Sequence, residues 1–252
     1  MAFLNLRQNF FACALVITTA LPANAAADRS KDPDTARIEK IIRDYLLQNP
    51  EILVEVMQKL EARQKIQEKE DRISAIRANQ NARFASAQDF VLNPNGRIPV
   101  VEFFDYQCGY CKKFLPTKSQ LLETHKTVRF VFKELPILGD MSVLASHAAL
   151  AAKMQGRYLQ FHYRLMGLRQ RLTKTLLFQI ANDVGLNVER LKLDMKNPDH
   201  DRTIRNNREL ASTMGIRGTP SLVVGDQFAP GAVSYEQLIT MVNKARTNCS
   251  VC

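Results

Sequence analysis

Two cysteines, Cys108 and Cys111, lie three positions apart in the stretch DYQCGYCKKF. A pair with this spacing can bind a metal, close a small structural disulfide or exchange electrons with another disulfide. A zinc site needs further ligands, typically a second pair about 12 to 20 residues away. The other cysteine pair, Cys249 and Cys252, lies far along the chain, and none of the four histidines stands at ligand spacing. We therefore expect no metal at Cys108 and Cys111.

The residues around this pair favour redox chemistry over a structural disulfide. A bridge across so short a loop constrains the unfolded chain little, because the stabilisation grows with loop length. The apolar run at 98–104 predicts a buried strand, and a helix pattern follows the pair directly. The first thiol would then lie at the positive end of the helix dipole, which stabilises a thiolate. We predict that Cys108 attacks a substrate disulfide and that Cys111 resolves the mixed disulfide.

A second feature supports this prediction. The stretch RGTPS at 217–221 precedes another apolar strand, and a proline belongs at the start of a strand because it cannot donate to a ladder. A cis Thr219–Pro220 bond would leave the neighbouring backbone free to pair with an extended substrate. These residues alone do not determine the isomer, since X-Pro bonds favour trans. Thr219 and Pro220, with Gly109 and Tyr110 between the cysteines, are candidate supporting residues.

One charged residue interrupts a predicted strand, and another ends the second strand. Glu102 lies within VVEFF, six residues before Cys108, and Lys133 follows VRFVF. A carboxylate buried behind the thiols could move protons to and from Cys111, whereas on an alternating strand Glu102 would point to solvent. A role for Lys133 stays open. We interpret the four histidines, listed by position as His125, His147, His162 and His200, as surface or helix-packing residues.

The order of elements indicates one α/β domain at residues 84–247. A strand, the cysteine pair, a helix and a second strand are followed by a helical block at about 140–215. A hairpin with a turn at Gly225 and Asp226 and a last helix at 234–245 complete the pattern. The helical block therefore lies between the two halves of one small sheet.

Residues 26–83 form a separate helical segment. Apolar residues recur at helical spacing through 35–60, with a break at Asn49-Pro50. Two such short helices cannot bury their apolar faces alone, so we expect a homo-oligomer through 35–60 in preference to packing on the main domain. The charged, apolar-poor stretch 61–83 is typical of an exposed linker helix.

The two ends of the chain carry further signals. Residues 1–25 contain Arg7, an apolar core and Ala23-Asn24-Ala25, which is typical of a cleavable signal peptide and predicts a periplasmic protein. No apolar run of about 18 residues predicts a transmembrane helix in the mature chain. The C-terminal tail at 248–252 holds Cys249 and Cys252. This pair would form a local disulfide, or else accessory thiols that relay electrons or bind Cu(I).

Charge and motifs narrow the classes of partner and cofactor. The formal net charge of +10 is spread along the chain without a dense basic run interleaved with aromatics, so we expect no nucleic-acid partner. There is no GxGxxG after a predicted strand and no phosphate-binding GKS or GKT. We expect no nucleotide, flavin or other cofactor.

The chain resembles the DsbA-like thiol-disulfide oxidoreductases of the bacterial envelope, which have a thioredoxin fold. The resemblance rests on VVEFFDYQCGYCKKFLP, FVFKELPILG, AALAAKMQGRYLQFHYRLM and MGIRGTPSLVVG, and covers about 97–246. It implies a thioredoxin fold with an inserted helical domain, a cis bond at Pro220 and a place for Glu102 behind the thiols. The preceding helical segment resembles the extension of ScsC-like members, where it serves oligomerisation.

Details of the resemblance bear on the type of reaction. Gly109-Tyr110 is similar to the dipeptide of the isomerase DsbC, not to the Pro-His of DsbA, and Thr219 also resembles the isomerase. The resemblance implies an oligomeric isomerase or reductase that acts on secreted proteins with a membrane redox partner of DsbD or DsbB type. The alternatives are a DsbA-type oxidase and a copper-handling thiol protein. The C-terminal CSVC departs from the family pattern.

Overall fold

A computed structural model describes residues 33–79 and 87–248. Contacts between Cα atoms divide the chain into two compact units between Glu61 and Ala62. The predicted signal peptide at 1–25 and the cysteines Cys249 and Cys252 lie outside the described residues.

The first unit contains helix α1 (Pro33–Gln48) and the beginning of α2 (Glu51–Ala78). Most of its apolar side chains are exposed, and Leu46 and Ile52 are half-buried. At least half of each of the following side chains is exposed: Ile38, Ile41, Ile42, Tyr45, Leu47, Leu53, Val54, Val56, Met57 and Leu60. The helices are confirmed as elements, and their apolar faces have no partner within the described residues of the chain.

The second unit is built on a five-stranded sheet in the order β1-β3-β2-β4-β5. The strands are β1 (Phe90–Leu92), β2 (Ile98–Phe104), β3 (Val128–Glu134), β4 (Ser221–Val224) and β5 (Gln227–Pro230). β2 and β3 are parallel and joined by helix α3 (Gly109–Thr124), and the other pairs are antiparallel. Every residue of β2 is buried, as expected of a central strand covered on both faces. β1 was not predicted.

Helices cover both faces of this sheet. Between β3 and β4 the chain inserts α4 (Asp140–Met154), α5 (Tyr158–Met166), α6 (Lys174–Asp183), α7 (Val188–Asp194) and α8 (Pro198–Thr213), and α9 (Tyr235–Asn248) ends the fold. The larger core joins one face of the sheet to α3, α9 and most of the insertion. The smaller core lies on the other face with α8. The predicted thioredoxin fold with a helical insertion is confirmed.

The last turns of α2 belong to the second unit. Residues 61–71 are exposed, as predicted for a linker helix, whereas the end of α2 around Ile76 is not, and residues 80–83 lie outside the described residues. Ile76 is fully buried in the smaller core, where the sheet contributes Val101 and Val131. The Arg72 guanidinium lies 4.5 Å from the centre of the Phe228 ring. One buried isoleucine is enough to pack the end of a helix against a sheet. A single apolar residue gives no periodic pattern from which this packing could be predicted. The predicted boundary at 83/84 therefore differs from the division at 61/62.

Ile76→Ala is expected to lower the free energy of unfolding of the second unit by about 2–5 kcal/mol, because it leaves a cavity between α2 and the sheet. Ile66→Ala is the matched control, since Ile66 lies on the same helix and is 59% exposed. Its effect should stay within about 0.5 kcal/mol. Denaturant unfolding of both variants measures the difference. Equal effects would show that α2 does not pack on the sheet in solution.

Candidate active site

The cysteine pair lies at the N-terminus of α3, shortly after the end of β2. Cys108 is the N-cap residue of α3 with extended backbone angles (φ −71°, ψ 116°), and the residue is 6% exposed. Cys111 lies in the first turn and is fully buried, whereas Tyr110 between them is 65% exposed. Both cysteines are free thiols. A substrate can therefore reach the pair only from the side of Cys108.

The two thiols have opposed acidities. The hydrogen bond from the Cys111 thiol, with the backbone N–H groups of Tyr110 and Cys111, outweighs burial and lowers the pKa of Cys108 to about 5. Burial is the main cause that raises the pKa of Cys111, and its hydrogen bond to Cys108 and the charge of Glu102 act in the same direction. Cys108 is thus ionised at neutral pH and Cys111 is not, which is the difference that the predicted roles of nucleophile and resolving thiol require.

The loop before β4 lies against the nucleophile. The Thr219–Pro220 bond is cis, as the resemblance implies. When protonated, the Cys108 thiol donates to the Thr219 carbonyl at 3.0 Å, and a thiolate cannot make that bond. Ionisation of Cys108 therefore frees a backbone acceptor beside the reacting sulfur. A substrate backbone N–H can use that acceptor.

Glu102 is fully buried on β2, so the alternative in which it points to solvent is wrong. Its Oε2 accepts a hydrogen bond from Lys118 Nζ at 2.9 Å, and this ion pair is completely buried. Burial raises the pKa of Glu102, and the charge of Lys118 opposes that shift. Within the described residues Oε1 of Glu102 has no hydrogen-bond partner. That oxygen is free to take up a proton.

Lys133, whose role the sequence left open, belongs to a different cluster. Its ammonium pairs with Asp89, and Asn207 donates to the other oxygen of that carboxylate at 3.1 Å. All three side chains are buried. This cluster ties β3 to the segment before β1 and to α8.

Asp105 holds the loop in front of the cysteines and was missed in the sequence. Its Oδ1 accepts from the Gln107 backbone at 2.7 Å and from the Ser142 hydroxyl at 2.7 Å. Its Oδ2 accepts from the backbone N–H groups of Ile137 and Leu138 at 2.8 and 3.0 Å. Four donors on one buried carboxylate fix the approach to α3 and the loop after β3 together.

The contact between Lys118 and His162 was also missed, although Lys118 left a trace in the sequence. Cys111, Phe114, Lys118 and Leu121 are the buried residues of α3, so a lysine stands on an apolar helix face. His162 lies among the buried residues of α5 and is fully buried. It packs as predicted for a helix-packing residue, but it also accepts from Lys118 at 2.9 Å.

The rate at which iodoacetamide alkylates Cys108 in the reduced protein should rise with pH through an inflection near pH 5, because only the thiolate reacts. This pKa lies below that of an unfolded thiol, about 8.5. The ionisation therefore stabilises the reduced fold fully above pH 8.5, and the contribution is lost as the pH falls through about 5. Mass spectrometry of the alkylated peptide measures the profile. An inflection near pH 8.5 would contradict the assigned hydrogen bonds.

Two other kinds of site were searched for in residues 33–79 and 87–248. No group of three His, Cys, Asp or Glu side chains there could hold a metal ion. In the same ranges, no helix is both long and apolar enough to cross a bilayer.

Comparison with known proteins places this site in a family. A model of the DSBA-like thioredoxin domain matches residues 99–242, and one of the copper resistance protein ScsC N-terminal domain matches 34–67. The chain therefore belongs to the DsbA-like thioredoxin family. Its paired thiols and cis-proline loop define a site of the thiol-disulfide oxidoreductase type. Within that class, it carries an N-terminal segment of ScsC type.

Solved structures support this placement. A thioredoxin-like oxidoreductase from Silicibacter pomeroyi is 42% identical with a TM-score of 0.65, over 66% of this chain and 96% of that one. Proteus mirabilis ScsC in a compact conformation is 30% identical with a TM-score of 0.64, over 85% and 99%. A periplasmic thioredoxin-like protein from Salmonella enterica serovar Typhimurium is 28% identical with a TM-score of 0.59, over 65% and 93%.

The curated relatives are longer proteins. The Na(+)/H(+) antiporter NhaA 3 of Salinispora tropica is 27% identical over 161 residues, which are 63% of this chain. The match spans 25% of the antiporter's length.

Proposed function

We propose that the protein is a periplasmic disulfide isomerase or reductase that acts on secreted proteins as a homo-oligomer. The observation that carries the exchange chemistry is the ionised Cys108 beside the Thr219 carbonyl with a protonated Cys111 behind it. The predicted signal peptide and the likeness to a periplasmic thioredoxin-like protein support the location.

The reaction proceeds by two thiolate attacks. Cys108 attacks one sulfur of a substrate disulfide, and the other sulfur leaves as a thiolate. In isomerisation, a substrate thiolate then attacks the mixed disulfide, forms a new substrate pair and releases Cys108 as a thiolate. In reduction, Cys111 loses its proton and attacks Cys108, which releases the second substrate thiolate and leaves a disulfide between Cys108 and Cys111. A membrane partner of DsbD type would return two electrons to this disulfide.

The exposed faces of α1 and of the first turns of α2 support the oligomer. Apolar side chains on both helices are more than half exposed in the single chain, for example Ile38, Tyr45 and Met57. Burial of the part of each such side chain that is still exposed would contribute about 1–2 kcal/mol between copies. An assembly that surrounds its own active sites favours isomerisation, because it restricts access by a membrane oxidase.

Refolding of a scrambled-disulfide substrate tests this proposal, with the mature protein compared to a form that lacks residues 26–61. The deletion ends at 61 because Ile76 and Arg72 belong to the second unit. We expect an oligomer with strong isomerase activity, and a truncated monomer that still oxidises a reduced peptide but does not unscramble. A mature protein that is monomeric at micromolar concentration would overturn the oligomeric part.

The alternative, a DsbA-type oxidase with a DsbB-type partner, is favoured by the low pKa of Cys108. A stabilised thiolate makes the reduced form more stable and the disulfide more oxidising. Rapid oxidation of a reduced substrate with no unscrambling, and a potential nearer −120 mV than −270 mV, would select this function.

A further inference from the structure

A continuous chain of buried polar side chains leads from Glu102 away from the thiols. Lys118 Nζ contacts Glu102 Oε2 and His162 Nε2, both at 2.9 Å. His162 Nδ1 lies 3.1 Å from the Tyr106 hydroxyl, which donates to Glu134 Oε1 at 3.1 Å. All five side chains are at most 1% exposed. Glu102 lies on β2, Lys118 on α3, His162 on α5, Glu134 on β3 and Tyr106 in the loop after β2. Thiol exchange at Cys108 does not require His162, Glu134 or Tyr106.

The hydrogen atoms along this chain have a consistent arrangement. Burial, followed by the charge of Lys118, lowers the pKa of His162, so its ring is neutral. The Lys118 ammonium donates to Nε2 of that ring, which puts the ring's single proton on Nδ1. Nδ1–H then donates to the Tyr106 oxygen, and the Tyr106 hydroxyl donates to Glu134. The three links from Lys118 to Glu134 therefore donate in one direction. The link to Glu102 runs the other way, because Lys118 donates to Glu102 as well, so Lys118 must lose a proton to His162 before it can take one from Glu102.

Glu134 is a suitable end for such a wire. Burial raises its pKa to about 8, although hydrogen bonds from Ser146, Tyr158 and Tyr106 lower it. It can therefore gain or lose a proton near neutral pH. Two of its donors lie off the wire: Tyr158 donates to Oε1 and Ser146 to Oε2, both at 2.7 Å.

We propose that Lys118, His162 and Tyr106 relay the proton of Cys111 from Glu102 to Glu134 while the resolving thiol attacks. This inference rests on the proposed function, since it concerns the resolving step of the same exchange. Glu102 is the member of the relay whose charge raises the pKa of Cys111. Lys118, His162, Tyr106 and Glu134 act through it and are positioning residues.

The proton balance of the step is closed. Cys111 gives its proton to Glu102 Oε1 and attacks Cys108, which releases the substrate thiolate. Lys118 gives a proton to His162 Nε2, while His162 passes its Nδ1 proton to Tyr106 and Tyr106 passes its own to ionised Glu134. The neutral Lys118 amine left by this shift has a lone pair, and it takes the proton of Glu102 once the carboxyl group has turned to present it. Lys118, His162 and Tyr106 end with as many protons as before. Glu102 is ionised again and Glu134 is neutral. Reduction of the disulfide returns the proton to Cys111 by the reverse shift.

The matched pair Tyr106→Phe and Tyr158→Phe tests the relay. Both tyrosines are fully buried and both donate to Glu134 Oε1, but only Tyr106 lies on the wire. All proteins carry Cys249→Ser and Cys252→Ser, so that dithiobis(nitrobenzoate) reports on Cys108 and Cys111 alone. Stopped-flow mixing of the reduced protein with this reagent gives two colour phases. The first is formation of the mixed disulfide at Cys108, and the second is its resolution by Cys111.

We expect Tyr106→Phe to slow the second phase about 10-fold or more and to leave the first unchanged. Tyr158→Phe should leave both within about two-fold. In the parent protein the rate of the second phase should rise with pH through an inflection near pH 8, because only ionised Glu134 can accept the proton. Tyr106→Phe removes this inflection, whereas Tyr158→Phe keeps it but moves it to higher pH, since it removes a hydrogen bond that lowers the pKa of Glu134. If Tyr158→Phe slows resolution as much as Tyr106→Phe, or if neither does, the cluster is only structural and the relay is overturned.

If Tyr106→Phe fails to fold, the relay can be tested in the protein that keeps both tyrosines. The second phase is followed in mixtures of light and heavy water. A relay moves several protons in one step, so the rate should fall along a curve as the deuterium fraction rises, whereas transfer of one proton gives a straight line. A straight line contradicts the relay. The proposed function would fail separately, by the absence of any second phase in the parent protein.

Discussion

Cys111→Ala should convert the protein into a covalent trap for its substrates. Cys108 loses the hydrogen bond from Cys111, which is the largest cause of its low pKa, so its pKa rises. It keeps its place at the helix N-terminus and its hydrogen bonds from the backbone of α3, so its thiolate still attacks substrate disulfides. The variant has no buried thiol to displace the bound substrate sulfur. We expect stable mixed disulfides at Cys108 and a loss of reductase turnover to background. Non-reducing electrophoresis of the variant purified from the periplasm, followed by mass spectrometry, identifies the linked cysteine.

Cys108→Ala with Cys111 intact is the control and should form no mixed disulfides, because Cys111 is fully buried and its pKa is raised. Adducts at Cys111 would reverse the assigned roles. Resolution in Cys111→Ala at the rate of the natural protein would show that another thiol serves, and Cys249 and Cys252 would be the candidates.

The cysteine site was predictable because its chemistry is local. A buried strand, two cysteines and a helix occupy residues 98–124 without interruption, so the sequence itself indicates a thiol at a helix N-terminus. The cis bond at Pro220 is different, since the residues allow either isomer and only the family resemblance implied cis. Contact between Cys108 and Thr219 joins positions 111 residues apart, and nothing in the spacing reveals it.

The buried network could not be predicted, because its members come from separate elements. Tyr106 follows β2, Glu134 ends β3 and His162 lies on α5, and each is an ordinary polar residue in its own stretch. These three residues contact one another only because the inserted helices pack on the sheet. Lys118 is the exception, since it breaks an apolar helix face. Burial of Ile76 could not be predicted either, because one buried residue in a charged helix gives no periodic pattern in the sequence.

Glu102→Leu should destabilise the fold by about 3–5 kcal/mol, because the Lys118 ammonium is left buried without its carboxylate. The double variant Glu102→Leu, Lys118→Met should recover most of that loss, since apolar side chains replace both charges in a site walled by Phe104, Phe130 and Phe132. Denaturant unfolding of the two single variants and the double variant gives the coupling energy. Additive losses would show that the ion pair does not form in solution.

Activity should separate from stability in this series. The double variant regains a stable fold but has no carboxylate to take the proton of Cys111 and no ammonium to pass it on. We expect resolution about 100-fold slower than in the natural protein, within the range of a lost general base, with attack by Cys108 nearly unchanged. A double variant that is stable and also resolves at the natural rate would make Glu102 a structural residue. A stable but slow one would show that this buried pair is kept for proton transfer, because a less polar core would hold the fold as well.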